Sequence, residues 1–559
     1  MNPIDRIFKV YRKNFEMPMP KEGVKMSIYT SLGIIAVTCI MLPCCIIMGY
    51  LSYVMTLAMM VEGNRVNGLI SEMHILSAFA MVLGMPVIFN VLFFSSDREH
   101  MVTLPVKSWQ LLTAKFFHTF MAESVMEFLI FISMFIGFFI AAVTNSGLWP
   151  ALHPVSIIAA VSGIVLTPML PLVYCCLISL ILMAVLKKVR SIKTFYRSST
   201  IIMAVFVALF LYSFKDMGTI SFDNYMDSLA ADNNFFLRVC NAIFFTTPML
   251  CKAMAWQSIP QLLLYFISNA AATGMILLLG AWLYQPGLYT AAALGSRNKK
   301  VGRDKLNLKS TNIFKSYFIK ELKVLTRTRA YSSNCVYINV IWPVGVAVFF
   351  FITRNNESVQ QFMDYYREGY ERAQLIILLA VIFMAFVASA MNSLSSTAFT
   401  REGSHVDFIK YIPVDYKTQM YVKAAVATCI TAPFLILAVI VAYFFLNFSL
   451  LTGLLYSLIA IEALLISVVI GLALDSASPH TLWNDEYSAL RGNLNSFFNM
   501  AVMIVMSLLI CGLFFLLYEL AHLPLIAVYI ALPVFLGIIN AAAIIYGRRR
   551  IIANMKELF

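Results

Sequence analysis

The chain has 559 residues, of which 61% are hydrophobic and 12% are charged, and its formal net charge is +13. A soluble globular protein carries about twice this charged fraction, so that class is excluded. The apolar residues occur in uncharged runs of about 20, the length of a helix that crosses ~30 Å of hydrocarbon. These runs lack the alternation of barrel strands. Because each spanning segment must satisfy its own backbone in lipid, the sequence predicts an all-α polytopic membrane protein.

In chain order the apolar runs predict twelve spans. The first follows a basic N-terminal segment and is too long for the core of a signal peptide, so we expect it to be retained. The predicted spans are 27–55, 73–95, 116–143, 156–186, 198–214, 259–286, 335–352, 374–397, 424–446, 452–474, 498–518 and 525–546.

Charge gives these spans a direction. If both termini are cytoplasmic, the inside segments hold 34 of the 41 lysine and arginine residues and 14 of the 28 acids. This is the positive-inside pattern. A basic cytoplasmic face beside anionic lipid then accounts for the net charge, and no nucleic-acid partner is expected.

Two motifs recur at equivalent places and indicate an internal duplication. Ile7-Phe8-Lys9-Val10-Tyr11 returns as Ile313-Phe314-Lys315-Ser316-Tyr317, each time just before the first span of a half. The second motif is a charged pair, then an apolar residue with proline, then a lysine ten residues beyond the proline. Its copies are Arg98-Glu99, Leu104-Pro105 and Lys115, and Arg401-Glu402, Ile412-Pro413 and Lys423. We predict two tandem six-helix halves, residues 1–300 and 301–559.

The second motif lies in the predicted cytoplasmic loop between the second and third spans of each half. Proline fixes its own φ and disfavours helix at its predecessor, so it separates a short segment from the next helix. A single copy would be an ordinary capped turn. Its presence in both halves favours a docking surface for a cytoplasmic partner.

This loop resembles the cytoplasmic loop of ABC type-2 exporter permeases, in which a short helix contacts the ATPase subunit. A second stretch, Leu474 to Glu486 followed by Ala489, Asn493 and Asn495, resembles a pattern in large fused permeases of Gram-positive bacteria. The resemblance implies a permease of the bacterial plasma membrane that exports an amphipathic or hydrophobic substrate such as a lipid, peptide or drug-like compound. The coupling residues it implies are Arg98, Glu99, Leu104, Pro105, Arg401, Glu402, Ile412, Pro413, Asp475, Trp483 and Glu486.

The resemblance also implies that ATP and Mg²⁺ are bound by two separate ATPase subunits. The chain has no G-x-x-x-x-G-K-[ST] loop and no cytoplasmic segment long enough for a nucleotide-binding domain. We therefore expect a transport permease with no enzymatic activity and no cofactor of its own.

Three acids fall inside the predicted spans. Glu123 and Glu127 are one helical turn apart and share a face, and Glu462 is alone in the tenth span. Charged groups in lipid are costly, so these side chains should face the bundle or water. They could line a substrate or ion path, or they could make structural hydrogen bonds.

Two other functions stay open at this point. An ion-coupled secondary transporter would use Glu123 or Glu127, and a membrane-embedded enzyme would need a polar constellation that the sequence does not display. Scattered histidines without an H-E-x-x-H pairing argue against a metal site. Cys240 and Cys251 share one segment outside the spans, where both a disulfide and two free thiols are compatible with the sequence.

Overall fold

The computed structural model describes most of the chain, and all regular secondary structure within the described residues is helical. The described residues are 26–61, 66–94, 106–147, 151–185, 201–202, 204–208, 212, 228–229, 234–295, 312–353, 357–406, 408–481, 483, 486, 488–491 and 493–557. The chain forms two compact units. Residues 41–305 belong to the first, and residues 306–559, together with residues 26–40, belong to the second.

The helices before residue 305 are numbered in chain order. They are α1 Met26–Val61, α2 Asn67–Phe89, α3 Ser108–Ser146, α4 Pro154–Leu166, α5 Met169–Val185, α6 Phe235–Ile243, α7 Thr246–Trp256 and α8 Ile259–Gly295. A π-helical turn, Asn90–Phe94, continues α2. The core of this unit lies where α2, α5 and α8 pack together and where α7 packs on α4 and α8.

The second unit is built around the helices that follow residue 305. They are α9 Ile313–Arg327, α10 Ile341–Thr353, α11 Glu357–Arg367, α12 Glu371–Met391, α13 Phe408–Tyr411, α14 Tyr416–Leu446, α15 Leu450–Ala477, α16 Ser488–Arg491, α17 Leu494–Glu519 and α18 Leu525–Glu557. Short helical turns join α9 to α10. A 3₁₀ segment, Thr400–His405, follows α12. In the core, α15 packs against α12, α14 and α18.

Local chemistry explains where several helices begin and end. Within the described residues, a polar side chain accepts a hydrogen bond from a first-turn amide at five helix starts: His153, Asn234, Asn312, Ser449 and Asn493. The fourth predicted span is divided into α4 and α5 at Pro168. Thr167 still donates to the Gly163 carbonyl at 3.1 Å, but proline has no N–H with which to continue the ladder.

Eleven helical segments within the described residues are long and apolar enough to cross a membrane. They correspond to eleven of the twelve predicted spans, and the multi-pass helical membrane architecture is confirmed. The remaining predicted span, residues 198–214, is described only in part, so it stays a prediction, as do the duplication and the cytoplasmic termini. Large apolar side chains on these helices are exposed, among them Trp282, Phe444 and Leu451, as is expected of surfaces that face lipid rather than water.

Candidate functional site

A buried ionic cluster lies below the Arg401–Glu402 loop of the second unit. The Lys423 ammonium, with none of its side chain exposed, donates to Glu321 Oε1 at 3.0 Å and to Glu402 Oε1 at 2.9 Å. It also donates to the Ala398 carbonyl at 2.9 Å. Lys320, on the rim, donates to Glu402 Oε1 and Oε2 at 2.7 and 3.0 Å. These four side chains, Lys423, Glu321, Glu402 and Lys320, are called the Lys423 cluster below.

The Lys423 cluster joins three segments that are distant in sequence. Lys423 is in the second turn of α14, Glu321 is on the buried side of α9, and Glu402 is in the 3₁₀ segment. Two cations face two carboxylates, so the buried charges are compensated. The cluster therefore fixes the loop to the start of α14 and to α9.

The charges on the rim of this cluster are set by their neighbours. Burial alone would raise the pKa of the Glu402 carboxyl, but the Lys423 and Lys320 ammonium groups outweigh burial and hold that pKa well below its ordinary value. Burial would lower the pKa of Lys320, whereas Glu321 and Glu402 raise it above its ordinary value. Glu402 is thus a carboxylate and Lys320 an ammonium at neutral pH.

Arg401 points into the protein and not away from it. Only 8% of the residue is exposed. Its Nη1 donates to the Leu394 carbonyl at 2.9 Å and to Thr397 Oγ1 at 2.6 Å. The predicted coupling residues Arg401 and Glu402 therefore hold the loop in place from within.

Asp475, near the end of α15, anchors the same loop from another side. It is completely buried. Oδ2 accepts from the Phe399 and Thr400 backbone amides at 2.6 and 3.1 Å. Oδ1 accepts from Thr400 Oγ1 at 2.6 Å and from Asn495 Nδ2 at 3.2 Å. Four donors thus converge on one carboxylate, which ties α15 and the start of α17 to the loop.

The Trp483 indole packs against Gly403. Its Nε1 donates to the Thr400 carbonyl at 2.9 Å. Gly403 has φ +58°, and its α-carbon lies so close to the indole that an added Cβ would be 2.6 Å from the ring. Both the backbone conformation and the contact require glycine. This explains the pairing of the 401–403 loop with the Asp475-to-Glu486 stretch.

Gly403→Ala is expected to destabilise the second unit by about 1–3 kcal/mol, because alanine must adopt a left-handed conformation and displace the Trp483 ring. The matched control is Gly512→Ala, since no atom lies within 4 Å of a Cβ added there. Thermal unfolding of the purified variants measures the difference. Equal midpoints would show that Gly403 is not required for this packing.

A short exposed surface follows the anchored loop. Tyr411 at the end of α13 is 76% exposed, and Lys410, Pro413 and Asp415 are exposed beside it. Ile412 is half-buried, and Glu486 is exposed in the neighbouring loop. Lys410, Tyr411, Pro413 and Asp415 are called the α13 surface below. The predicted site thus divides into a buried anchor (Arg401, Glu402 and Asp475) and an exposed surface.

In the first unit, the predicted residues Arg98, Glu99, Leu104 and Pro105 lie outside the described residues. Lys115 is described and is fully buried in the second turn of α3. Its Nζ donates to the Val91 carbonyl at 3.0 Å, just as Lys423 donates to the Ala398 carbonyl. The two lysines that share a place in the sequence motif therefore share a type of contact. The sequence predicted that each lysine opens a helix at the cytoplasmic end of a span, and in the structure each lysine is buried in the second turn of a helix.

The predicted intramembrane acids belong to different units. Glu123 and Glu127 are half-buried on one side of α3, and both interact electrostatically with Cys175 of α5. Glu462 belongs to the second unit, where its backbone carbonyl accepts from Asn540 Nδ2 at 3.0 Å. Its carboxyl Oε2 has no hydrogen-bond partner among the described residues.

Cys240 and Cys251 are buried free thiols. Cys251 Sγ lies 3.4 Å from Met73 Sδ, so a neighbouring helix occupies the space next to it. Of the two arrangements that the sequence left open, the structure has the unpaired one. Within the described residues no group of three or more histidine, cysteine, aspartate or glutamate side chains could hold a metal ion.

Sequence reasoning missed Glu321, which is a central member of the Lys423 cluster. It is separated from Lys423 by 102 positions, and no local pattern pairs them. One signal was available: a lysine in the second turn of an apolar helix needs a buried acid, because lysine is almost never fully buried unless paired. That rule calls for a partner but does not identify it.

A scan against family models finds no match, and searches of curated proteins and of solved structures find none either. The resemblance to ABC type-2 permeases therefore depends on the loop motifs of the sequence alone.

Proposed function

We propose that the chain is the permease of an ATP-driven exporter, and that the α13 surface receives a separate cytoplasmic ATPase subunit. The proposal is supported by how the loop is held in place. An exposed tyrosine and lysine are presented on a short helix that follows a segment anchored by buried charges. A loop serving only as a connection needs no such anchor.

The anchor explains how a push on this loop would reach the membrane helices. The Lys423 cluster links the loop to α9 and α14, and Asp475 links it to α15. Packed elements move as rigid pieces between discrete arrangements. ATPase closure at the α13 surface would therefore displace α14 and α15 together and shift the population of transport states. The loop around Arg98 to Pro105 would receive the second ATPase in the same way.

The proposal predicts that the purified chain alone has no ATPase activity and that ATP is hydrolysed only when the ATPase subunit co-purifies with it. Purification from native membranes should yield a Walker-A-containing subunit in a fixed ratio. Tyr411→Ala combined with Lys410→Glu should lower the associated ATP hydrolysis about tenfold or more, because both side chains are exposed on the α13 surface.

The matched control is Phe444→Ala, because Phe444 is aromatic, is also 76% exposed, and lies at the other end of α14. It should leave ATPase association unchanged. An α13-surface variant that retains full association and hydrolysis would contradict the docking assignment. A chain that transports substrate in liposomes with an imposed ion gradient and no ATPase would contradict the whole proposal and favour a secondary transporter.

A further inference from the structure

The first unit contains a buried acid, Glu72, that is not one of the proposed coupling residues. Glu72 lies on α2 inside a candidate span, and only 2% of it is exposed. Neither carboxyl oxygen has a hydrogen-bond partner among the described residues. The predicted second span begins at residue 73, one residue after Glu72, whereas the candidate span of the structure begins at Asn67 and includes Glu72.

The polar side chains near Glu72 among the described residues carry no formal charge. The Ser52 hydroxyl of α1 faces the carboxyl, although no hydrogen bond joins them. Thr56 lies one turn further along α1, and its hydroxyl is also buried and has no partner among the described residues. From α7, the Cys251 thiol is close enough to interact electrostatically with Glu72, and its Sγ lies 3.4 Å from Met73 Sδ. On α2 itself, His74 lies two residues away, and its Nε2 is 2.7 Å from Asn241 Oδ1.

Steric contact leaves little room for a hydrated carboxylate. α1 and α2 approach so closely next to this site that a Cβ added to Gly68 would lie 3.2 Å from both Met55 Cβ and the Met55 carbonyl oxygen. An isolated ionised carboxylate in an apolar interior costs far more than a neutral acid. The interior therefore favours a carboxyl that holds a proton, which adds a donor for the neighbouring hydroxyl oxygens.

We propose that Glu72, with Ser52 and Thr56, forms a buried proton-binding site whose occupancy controls the packing of α1 against α2. One proton satisfies the single acidic group. A metal cation would need several further oxygen ligands, and the residues named here supply one carboxylate and two hydroxyls. Loss of the proton leaves a charge between two closely packed helices, so it loosens that contact. This inference does not depend on the ATPase proposal.

Carbodiimide labelling tests the proposal on the full-length protein in detergent. Dicyclohexylcarbodiimide adds to a protonated carboxylic acid: the acid proton moves to a carbodiimide nitrogen, the carboxyl oxygen bonds to the central carbon, and no group leaves. The expected result is an adduct mapped to Glu72 by mass spectrometry. Its yield should fall as pH rises and should not change when sodium chloride replaces choline chloride. Protection by sodium would overturn the proposal in favour of a metal-cation site.

A second measurement does not require a reagent to reach the buried carboxyl. The infrared spectrum should contain a carbonyl stretch of a protonated carboxyl that Glu72→Gln removes. The thermal midpoint of the wild type should fall with rising pH, and this shift should be lost in Glu72→Gln, which cannot ionise. Glu368→Gln is the control, because Glu368 is an exposed carboxyl of the second unit, and it should retain the pH-dependent shift. A spectrum without the band, or a shift that persists in Glu72→Gln, would overturn the proposal.

Discussion

Lys423→Met is expected to lower the free energy of unfolding of the second unit by about 3–5 kcal/mol, the cost of removing one partner from a buried ion pair. Methionine has a similar volume, so the loss comes from charge and not from a cavity. Glu321 and Glu402 would then face each other in the interior with Lys320 as the only cation left in the cluster. Thermal unfolding of the purified protein and ATPase association should both be measured.

The control is Lys417→Met, because Lys417 is on the same helix and is exposed. It should change stability by no more than about 0.5 kcal/mol. A second comparison is Lys423→Arg, which keeps the positive charge but not the shape of the ammonium group. We expect its free energy of unfolding to lie between those of Lys423→Met and the wild type. If Lys423→Met were as stable as Lys417→Met, the Lys423 cluster would not be the anchor of the loop.

Asp475→Ala is expected to have the second large effect, because it leaves four donors without their acceptor. A buried donor left unsatisfied costs about 1–3 kcal/mol. The Phe399 and Thr400 amides cannot rotate to find other partners, so the 3₁₀ segment should loosen. Thermal unfolding and hydrogen exchange of the 399–405 backbone measure this change.

Asp475→Asn should destabilise the loop less than Asp475→Ala, because the asparagine side-chain oxygen can still accept from the two backbone amides at the Oδ2 position. Asp415→Ala is the control, since Asp415 is exposed and makes no side-chain cap bond to α14. If the alanine and asparagine variants of Asp475 exchanged hydrogen at the wild-type rate, the carboxylate would not organise the loop.

The membrane architecture could be predicted from sequence because length and hydrophobicity act locally. A run of about 20 apolar residues becomes a spanning helix whatever its neighbours are. The burial of Glu72, Lys115 and Lys423 could not be predicted in the same way. Hydropathy assigns a charged residue to the water, whereas tertiary packing encloses these three side chains among the helices.

The candidate site could be predicted only in part. The recurrence of Arg401-Glu402 and Pro413 identified the loop, and the Asp475-to-Glu486 stretch identified its neighbour. The division of these residues into a buried anchor and an exposed surface was not predictable, because it depends on which side chains point into the protein. Arg401 turns towards the Leu394 carbonyl and Asp475 towards two backbone amides, whereas Tyr411 faces outward. These orientations come from contacts between segments distant in sequence.

The most direct test of the ATPase-coupled account is site-specific photo-crosslinking in native membranes. A photoreactive amino acid at position 411, compared with one at position 444, probes two equally exposed sites. The account predicts that position 411 crosslinks to a subunit carrying a Walker A loop and that position 444 does not. Crosslinks from 411 that contain no nucleotide-binding subunit, or the same subunit crosslinked equally from both positions, would contradict it.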